Sequence, residues 1–176
     1  MKKNIVVISG SLRSQSYNKK LAVLATEFLS KDKYNLTFLD FSKLPHFNED
    51  LEKEKPKEVD LFIKQIKEGD GFIFVTPEYN NSIPGSLKNA IDWASRSRPS
   101  VLSNKPAVIM STSLGSLGGI RAQLHLREIL TCLRMDLVLY PEVVVSNAFE
   151  AFQNKPSDKT LELIEKLIRN FENKLG

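Results

Sequence analysis

The chain has 176 residues, of which 41% are hydrophobic and 26% charged, a composition that predicts one globular domain over residues 1–176. Its single cysteine and two histidines exclude a disulfide framework and multi-cysteine zinc or iron–sulfur sites, and they argue against any metal centre. The net charge of +4 is spread without a basic run, and no apolar stretch is long enough for a signal peptide or a membrane span, so we expect a cytoplasmic protein that binds neither nucleic acid nor membranes.

Short apolar runs alternate with amphipathic segments along the chain. The runs are rich in β-branched and aromatic residues, which predicts strands buried on both faces. They cover residues 5–8, 36–39, 71–76 and 107–110, with a fifth strand region at 137–145. Pro141 interrupts the fifth region and disfavours a central position for it, because proline has no backbone N–H to donate to a ladder.

Apolar residues at helical spacing follow each strand. They predict helices around residues 21–29, 59–66, 87–94, 126–133 and 164–175. Pro56 and Gly69 bound the second helix, and the charged segment from Asn48 to Lys57 is expected to be an exposed loop. Strands joined through helices require right-handed crossovers, so the pattern predicts a parallel sheet with helices on both faces.

Ligands bind beyond the carboxyl ends of the strands in such a sheet. The loop after the first strand, residues 9–18, contains four serines, a glycine, an asparagine and Arg13, and it has no acidic residue. Hydroxyls, backbone N–H groups and a guanidinium at a helix N-terminus suit a phosphate group. Neither GxxxxGK[ST] nor GxGxxG is present, so ATP and dinucleotide loops are not indicated. We interpret this loop as a phosphate site, with a serine-rich capped turn as the alternative.

Two further loops have compositions that suit a flat polar ring. The loop at residues 76–86 combines two prolines, which restrict its freedom, with a tyrosine, asparagines and Gly85. The loop at residues 111–119 has three glycines, whose uncovered N–H groups suit an electron-rich edge such as the pyrimidine side of a flavin. Negative charge stabilised at that edge favours the reduced flavin. Taken alone, either loop is equally consistent with an ordinary turn.

Three stretches match a known family at these loops. They are Gly10-Ser11-Leu12-Arg13 with Ser16 and Asn18, Pro77-Glu78-Tyr79-Asn80 continuing to Asp92-Trp93, and Gly115 with Gly118-Gly119 and Arg121. With them the chain resembles, from about residue 3 to residue 145, the NADPH-dependent FMN reductases, which include azoreductases, quinone reductases and chromate reductases. The resemblance implies a flavodoxin-like three-layer α/β sandwich with a five-stranded parallel sheet of order 2-1-3-4-5. It also implies non-covalent FMN, with NADPH or NADH as co-substrate.

The resemblance also implies which residues contact the cofactor. At the matching positions it gives the phosphate to Ser11, Arg13, Ser16 and Asn18, the isoalloxazine and ribityl chain to Pro77, Glu78, Tyr79 and Asn80, and the polar edge of the ring to Ser113 and Gly115. The flavin supplies the chemistry, so no side chain is expected to be catalytic. Glu78 is expected to act more through its backbone than its carboxylate. The family further implies a homodimer or homotetramer with the flavin near a subunit boundary.

Several other residues receive structural interpretations. Cys132, in an apolar helical stretch, is predicted to be a buried small hydrophobe. His125 and Arg127 are predicted to be surface or interface groups on a helix. Arg96 and Arg98 are the nearest approach to a second anion site, for the 2′-phosphate of NADPH or for an acidic group across an interface, with a solvated loop as the alternative.

The leading functional hypothesis is an FMN-dependent NAD(P)H oxidoreductase that reduces quinones, azo compounds, flavins or similar small acceptors by hydride transfer. The alternative is an electron carrier between protein partners. Carriers of this fold are usually strongly acidic where they dock, whereas this chain is net positive. A third possibility, a binding subunit with an empty site, conflicts with the intact loop around Arg13.

Overall fold

We describe the protein from a computed structural model that covers residues 1–153 and 155–176. Five parallel strands form one sheet in the order β2-β1-β3-β4-β5. The strands are β1 (Lys3–Ser9), β2 (Tyr34–Phe38), β3 (Gly71–Thr76), β4 (Pro106–Thr112) and β5 (Asp136–Val145). The helices are α1 (Tyr17–Thr26), α2 (Lys57–Lys67), α3 (Gly85–Ser95), α4 (Ile120–Cys132), α5 (Ala148–Gln153) and α6 (Asp158–Leu175). The predicted flavodoxin-like fold and strand order are confirmed.

The sheet separates two apolar cores because successive side chains of a strand point to opposite faces. Val6 and Ile8 of β1 pack with apolar residues of α2, α3 and α4. Ile5 and Val7 pack on the other face with α1 and α6. All six residues of β3 are buried, as expected for a central strand covered on both sides. This arrangement holds the loops after β1, β3 and β4 at one edge of the sheet.

The fifth strand region forms a single strand that contains Pro141. Its pairing with β4 shifts register between Val108 and Met110. Since β5 lies at the edge of the sheet, a residue without an N–H can be accommodated there. The expectation that this strand is not central is therefore confirmed.

Two features differ from the sequence-based expectations. The predicted burial of Cys132 is wrong: its side chain is exposed at the end of α4. The buried stripe of this helix follows Ala122, Leu126 and Leu130 at four-residue spacing, and Cys132 lies off that stripe. The short helix α5 has no counterpart among the predicted helices, and it packs on α1 through the rings of Phe152 and Tyr17, whose centroids are 6.0 Å apart.

The segment between β2 and α2 is more ordered than a simple exposed loop. Glu49–Glu52 form a single 3-10 turn. Nearby, Trp93 of α3 is buried and donates its indole N–H to the carbonyl of Pro45 at 2.9 Å. Across residues 1–153 and 155–176, no helix combines the length and apolar character needed to cross a bilayer.

Candidate functional site

A cleft of about 400 Å³ opens at the carboxyl edge of the sheet, where the loops after β1, β3 and β4 meet. We call these loops L1 (residues 10–16), L2 (residues 77–84) and L3 (residues 113–119). Nine of the ten predicted cofactor-binding residues line this cleft: Ser11, Arg13, Ser16, Asn18, Pro77, Glu78, Tyr79, Ser113 and Gly115. The tenth, Asn80, lies outside the wall of the cleft.

The L1 end of the cleft carries an uncompensated positive charge. Ser16 caps α1, its Oγ accepting from the backbone N–H of Lys19 at 3.3 Å, so the positive end of the helix dipole faces L1. Arg13 is exposed with its guanidinium 5.9 Å from the ring of Tyr17. In the described part of the chain, no carboxylate forms an ion pair with Arg13. Hydroxyls, helix N–H groups and a free guanidinium are the donors that a phosphate dianion requires.

Asn18 has a structural role that sequence reasoning did not anticipate. Its buried side chain donates from Nδ2 to the carbonyl of Thr112 at 3.0 Å, and Oδ1 accepts from the Thr112 N–H at 3.2 Å. These two bonds join the start of α1 to the end of β4, and thereby L1 to L3. One Nδ2 hydrogen and the backbone N–H remain available, so the assignment of Asn18 to the phosphate stays a prediction.

L2 approaches L1 closely and ends in a tight hairpin. A side chain at Gly10 would place its Cβ 3.0 Å from Leu87 and 3.3 Å from Pro77, so only glycine fits comfortably where L1 meets L2. Tyr79 and Ser82 exchange two backbone hydrogen bonds of 2.9 and 3.0 Å. Between them Asn80 and Asn81 have φ values of 51° and 62°, which is the type I′ geometry that asparagine tolerates. Turn geometry therefore explains Asn80, and its contact with the cofactor stays a prediction.

Glu78 acts through its carboxylate as a remote cap for α4. Its Oε2 accepts from the backbone N–H groups of Arg121 at 3.0 Å and Ala122 at 3.2 Å. The helix begins after Gly119, which has no side chain to cap it, so a carboxylate from L2 satisfies these donors and complements the helix dipole. The carboxylate therefore has a structural role that the sequence did not reveal, and the expected contribution of the Glu78 backbone to cofactor binding stays a prediction. A Glu78 committed in this way also fits the prediction that no side chain is a general base.

Four of the peptide groups of L3 share one orientation. Four carbonyl oxygens point back into the protein, where they accept from donors in β4 and in the connection from β5 to α5. The pairs are Ser113 O with Ala148 N (2.9 Å), Gly115 O with Asn147 N (3.3 Å), Ser116 O with Ser146 Oγ (2.6 Å) and Gly118 O with Ser111 Oγ (2.7 Å). A trans peptide holds its C=O and N–H on opposite sides. The N–H groups that follow these carbonyls therefore face away from the β4–β5 framework.

The outward N–H groups of L3 are available to a ligand. They belong to Leu114, Ser116, Leu117 and Gly119, and within residues 1–153 and 155–176 none of them donates to another protein group. Gly118 permits the required turn: its φ is +56°, and a Cβ there would lie 2.5 Å from Val144. Uncovered backbone N–H groups of this kind stabilise negative charge. These N–H groups belong to neighbours of Ser113 and Gly115, and the contact of those two residues with the ring edge stays a prediction.

The cleft also contains residues that sequence reasoning did not select. Tyr17, Thr112, Leu114 and Ala148 complete its lining. Tyr17 directly follows Ser16 in the sequence, so its adjacency to a predicted phosphate-binding residue was a usable signal. Ala148 comes from α5, a helix that the apolar spacing did not reveal, and no local pattern marked it.

Both arginines of the suggested second anion site have partners within the protein. Its guanidinium makes a two-pronged hydrogen bond with Glu52, with Nη2 2.9 Å from Oε2, and Glu49 lies 3.9 Å away. The hydrogen bond from Arg96 lowers the pKa of Glu52, and the same bond raises the pKa of Arg96. Arg98 donates to the carbonyls of Ser95 and Ser97. Arg96 is thus paired with acidic residues within the protein, and its suggested contact with an external anion stays a prediction.

The known proteins that this chain resembles are named as reductases or oxidoreductases. The model of the family described as NADPH-dependent FMN reductase matches residues 3–150. An NAD(P)H-dependent FMN reductase of Pseudomonas aeruginosa is 42% identical over 94% of this chain and 91% of its own length. An NAD(P)H:quinone oxidoreductase of Solanum tuberosum is 43% identical over 88% of this chain and 80% of its own length.

A solved structure extends the likeness to three dimensions. FerB of Paracoccus denitrificans, a flavoenzyme NAD(P)H:(acceptor) oxidoreductase, superposes with a TM-score of 0.89 at 31% identity, covering 98% of this chain and 97% of FerB. The family match spans L1, L2 and L3, the loops that form the cleft. The chain therefore belongs to the NADPH-dependent FMN reductase family, as its loop motifs predicted.

Proposed function

We propose that this protein is an FMN-dependent NAD(P)H oxidoreductase that reduces quinones, azo compounds, flavins or similar small acceptors. The observation that carries the proposal is the pairing, in one cleft, of the uncompensated Arg13 loop with the start of L3, where the outward N–H of Leu114 lies. FMN fits this donor set because it has a phosphate dianion at one end and a ring with polar oxygens and nitrogens at the other.

When bound, FMN accepts a hydride from the nicotinamide and passes electrons to the acceptor. Ser11, Arg13 and Ser16 hold its phosphate against the N-terminus of α1. Pro77 and Tyr79 orient the ring along the wall formed by L2. The L3 N–H groups stabilise negative charge on the ring edge and so favour the reduced cofactor. Glu78 is engaged with α4, so proton transfer by this side chain is not part of the proposal.

The enzyme is favoured over the electron carrier. The relatives described above are named as reductases or oxidoreductases that use NAD(P)H. The chain also has a net charge of +4, against the acidic surface expected of a docking carrier. A carrier would exchange electrons rapidly with a protein acceptor and turn over slowly with NAD(P)H and a small quinone.

Exposed apolar side chains on two of the loops that form the cleft and on α5 support a homodimer or homotetramer. Four of them, from L2, L3 and α5, are each about half exposed or more: Tyr79, Leu114, Leu117 and Phe149. Such a cluster is what a second copy of the chain would cover. Sedimentation analysis tests the oligomeric state, and a monomer at micromolar concentration would contradict the proposal.

A single domain over residues 1–176 and a cytoplasmic location complete the proposal. The continuous sheet supports the single domain, and the lone unpaired cysteine supports the location.

A direct test combines binding and turnover. The purified protein is titrated with FMN while flavin fluorescence is recorded, and the loaded protein is then mixed with a simple quinone and either NADPH or NADH. We expect saturable binding at one FMN per chain and rapid oxidation of at least one of the two nucleotides. Absence of FMN binding would refute the cofactor assignment, and binding without nucleotide oxidation would favour the carrier.

A further inference from the structure

A chain of hydrogen bonds runs behind L3, from the protein surface to one of the L3 carbonyls. Its centre is Gln123 of α4, whose relative exposure is 0%. The Nε2 of Gln123 donates to Ser111 Oγ at 2.9 Å and to the carbonyl of Val143 at 2.7 Å. Its Oε1 accepts from Arg127 at 3.3 Å, and Arg127 pairs with Glu142 at 2.7 Å. A buried amide between helix and sheet is costly unless its bonds are satisfied, so this one needs a specific reason.

The donor and the acceptor of every hydrogen bond in this series are determined. Arg127 can only donate, so the oxygen of the Gln123 amide must face it. The carbonyl of Val143 can only accept, so the amide nitrogen must face the sheet. Ser111 Oγ therefore accepts from Gln123, and its single hydroxyl proton is directed to the carbonyl of Gly118, 2.7 Å away. A flipped Gln123 would set its oxygen against Val143 and break this order.

The Gly118 carbonyl at the end of the chain belongs to a peptide that could rotate. Both flanking residues are glycines, with φ values of +56° and +91°, and glycine has no Cβ to oppose rotation. The Ser111 bond holds this peptide with its carbonyl inward and the N–H of Gly119 outward. Gly119 also lies beside Glu78, a residue of the cleft wall, because a Cβ at Gly119 would be 3.8 Å from that of Glu78.

We propose that Gln123, held by Arg127, is a positioning residue that fixes the L3 peptides through Ser111 and thereby sets the preference of the cleft for reduced over oxidised flavin. The inference rests on the proposed function and adds to it a part of the protein that does not touch the cleft. With this series of hydrogen bonds intact, the N–H of Gly119 points away from Ser111, and Gly119 lies beside Glu78 of the cleft wall. When these hydrogen bonds are lost, the Gly118–Gly119 peptide can rotate and present its carbonyl instead. A carbonyl oxygen repels negative charge on a reduced ring.

The state of Arg127 supports a positioning role. Its side chain is only 18% exposed, and its Nε is buried without a hydrogen-bond partner among the residues the structure describes. An unsatisfied N–H is unfavourable, yet the guanidinium keeps this position while two other nitrogens reach Gln123 and Glu142. Arg127 therefore joins the buried Gln123 to Glu142 at the surface.

The experiment compares the affinities of the protein for oxidised and for reduced FMN. The variants are Ser111→Ala, Gln123→Leu, Arg127→Met and Arg127→Lys. Ser95→Ala is the matched control, because its hydroxyl also donates to a carbonyl, that of Asp92 at 2.6 Å, on α3 away from the cleft. Dissociation constants are measured for both redox states, and the melting temperature is measured for each protein without FMN.

We expect Ser111→Ala, Gln123→Leu and Arg127→Met to weaken binding of reduced FMN more than oxidised FMN. The preference for reduced FMN should fall about 10-fold, which is about 30 mV for a two-electron couple. Arg127→Lys should retain much of the preference because lysine still donates to Gln123, and Ser95→Ala should leave it unchanged. A merely structural network would weaken both redox states equally.

Each outcome decides the proposal. A preference within two-fold of the parent in folded Ser111→Ala would overturn it, even if Gln123→Leu fails to fold, because Ser111→Ala removes only a hydroxyl. Equal weakening of both redox states would overturn it as well. If the parent itself bound no FMN, the proposed function would fail and this inference with it. If the parent bound FMN but the variants kept its redox preference, only the positioning role would fail.

Discussion

Two arginine-containing regions of this molecule behave in opposite ways. Arg13, in L1, forms no ion pair with a carboxylate in the described part of the chain and lies over the ring of Tyr17. Arg96, after α3, is bound by Glu52, approached by Glu49 and placed over the ring of Phe47. Both side chains contact an aromatic ring, so the ring does not distinguish them. The presence of acidic partners does.

The position of each arginine relative to a helix supports the same distinction between them. Arg13 precedes the N-terminus of α1, where the helix dipole attracts anions. Arg96 is the C-terminal capping residue of α3, where the dipole attracts cations and repels anions. An arginine becomes an anion receptor when the dipole adds to its charge and no carboxylate neutralises it. Of these two arginines, Arg13 meets both conditions and Arg96 meets neither.

The largest effect should come from removing Arg13. Arg13→Ala should weaken FMN binding about 10- to 100-fold, because a hydrogen bond to a charged group contributes about 1.5–3 kcal/mol. The melting temperature of the protein without FMN should not change, since no carboxylate among residues 1–153 and 155–176 forms an ion pair with this guanidinium. Fluorescence titration with FMN measures the first effect and thermal unfolding the second.

Arg96→Ala is the matched control for this comparison. It should leave the FMN affinity within about two-fold of the parent, because its charge is already used by Glu52. It should lower the melting temperature slightly. An unchanged affinity in Arg13→Ala, or an equal loss in both variants, would remove the distinction between the two regions.

A smaller effect is expected at Glu78, where a carboxylate and an arginine meet at a helix N-terminus. The carboxylate binds two N–H groups of α4, and its other oxygen lies 3.9 Å from Arg121. Glu78→Gln removes the charge that complements the dipole and should lower the free energy of unfolding by about 1 kcal/mol. Urea unfolding measures this. The control is Glu162→Gln, at an exposed position of α6, which should change the free energy of unfolding much less. Equal stability of Glu78→Gln and the parent would show that the N-terminus of α4 does not need the charge of Glu78.

Local patterns in the sequence were sufficient for the fold and for most of the cleft. The apolar runs of β1, β3 and β4 fix a parallel sheet, and the carboxyl ends of parallel strands lie at one edge. Residues 10–18 and 76–86 therefore had to meet, and nine of the ten selected residues share the cleft. These features depend on spacing within each segment, which a sequence displays directly.

Contacts between distant segments were not predictable in this way. Glu52 and Arg96 are 44 residues apart, and Glu78 reaches the N–H of Arg121 across 43 residues. Glu52 and Glu78 each lie in a polar segment of the sequence that could equally be an exposed loop. Their partners become apparent only in the folded chain. The inward carbonyls of L3 depend similarly on donors from Ser111 and from residues 146–148. Charge pairing and peptide orientation are thus products of topology, which local spacing does not record.

The smallest expected effect concerns the Arg96 region and its dependence on pH. The hydrogen bond from Arg96 lowers the pKa of Glu52 in the folded protein. A carboxyl with a folded pKa below its unfolded value stabilises the protein above the unfolded pKa, about 4.3 for glutamate, and loses this contribution as the pH falls through the folded pKa. Glu52→Gln should therefore melt slightly below the parent at pH 7, by less than Glu78→Gln does.

That difference in melting temperature should shrink as the pH falls below about 4.3, because the unfolded parent then takes up a proton at Glu52 more readily than the folded parent does. High salt at pH 7 should reduce it too, since this pair is exposed to solvent. Melting curves of both proteins at matched pH and salt provide the measurement. A difference that stays constant over this pH range would mean that the carboxylate charge of Glu52 does not stabilise the region, and that the bound state of Arg96 has another cause. The FMN affinity of Glu52→Gln at pH 7 should equal that of the parent, because the arginine this variant releases still lies at the C-terminus of α3, where the dipole disfavours a phosphate.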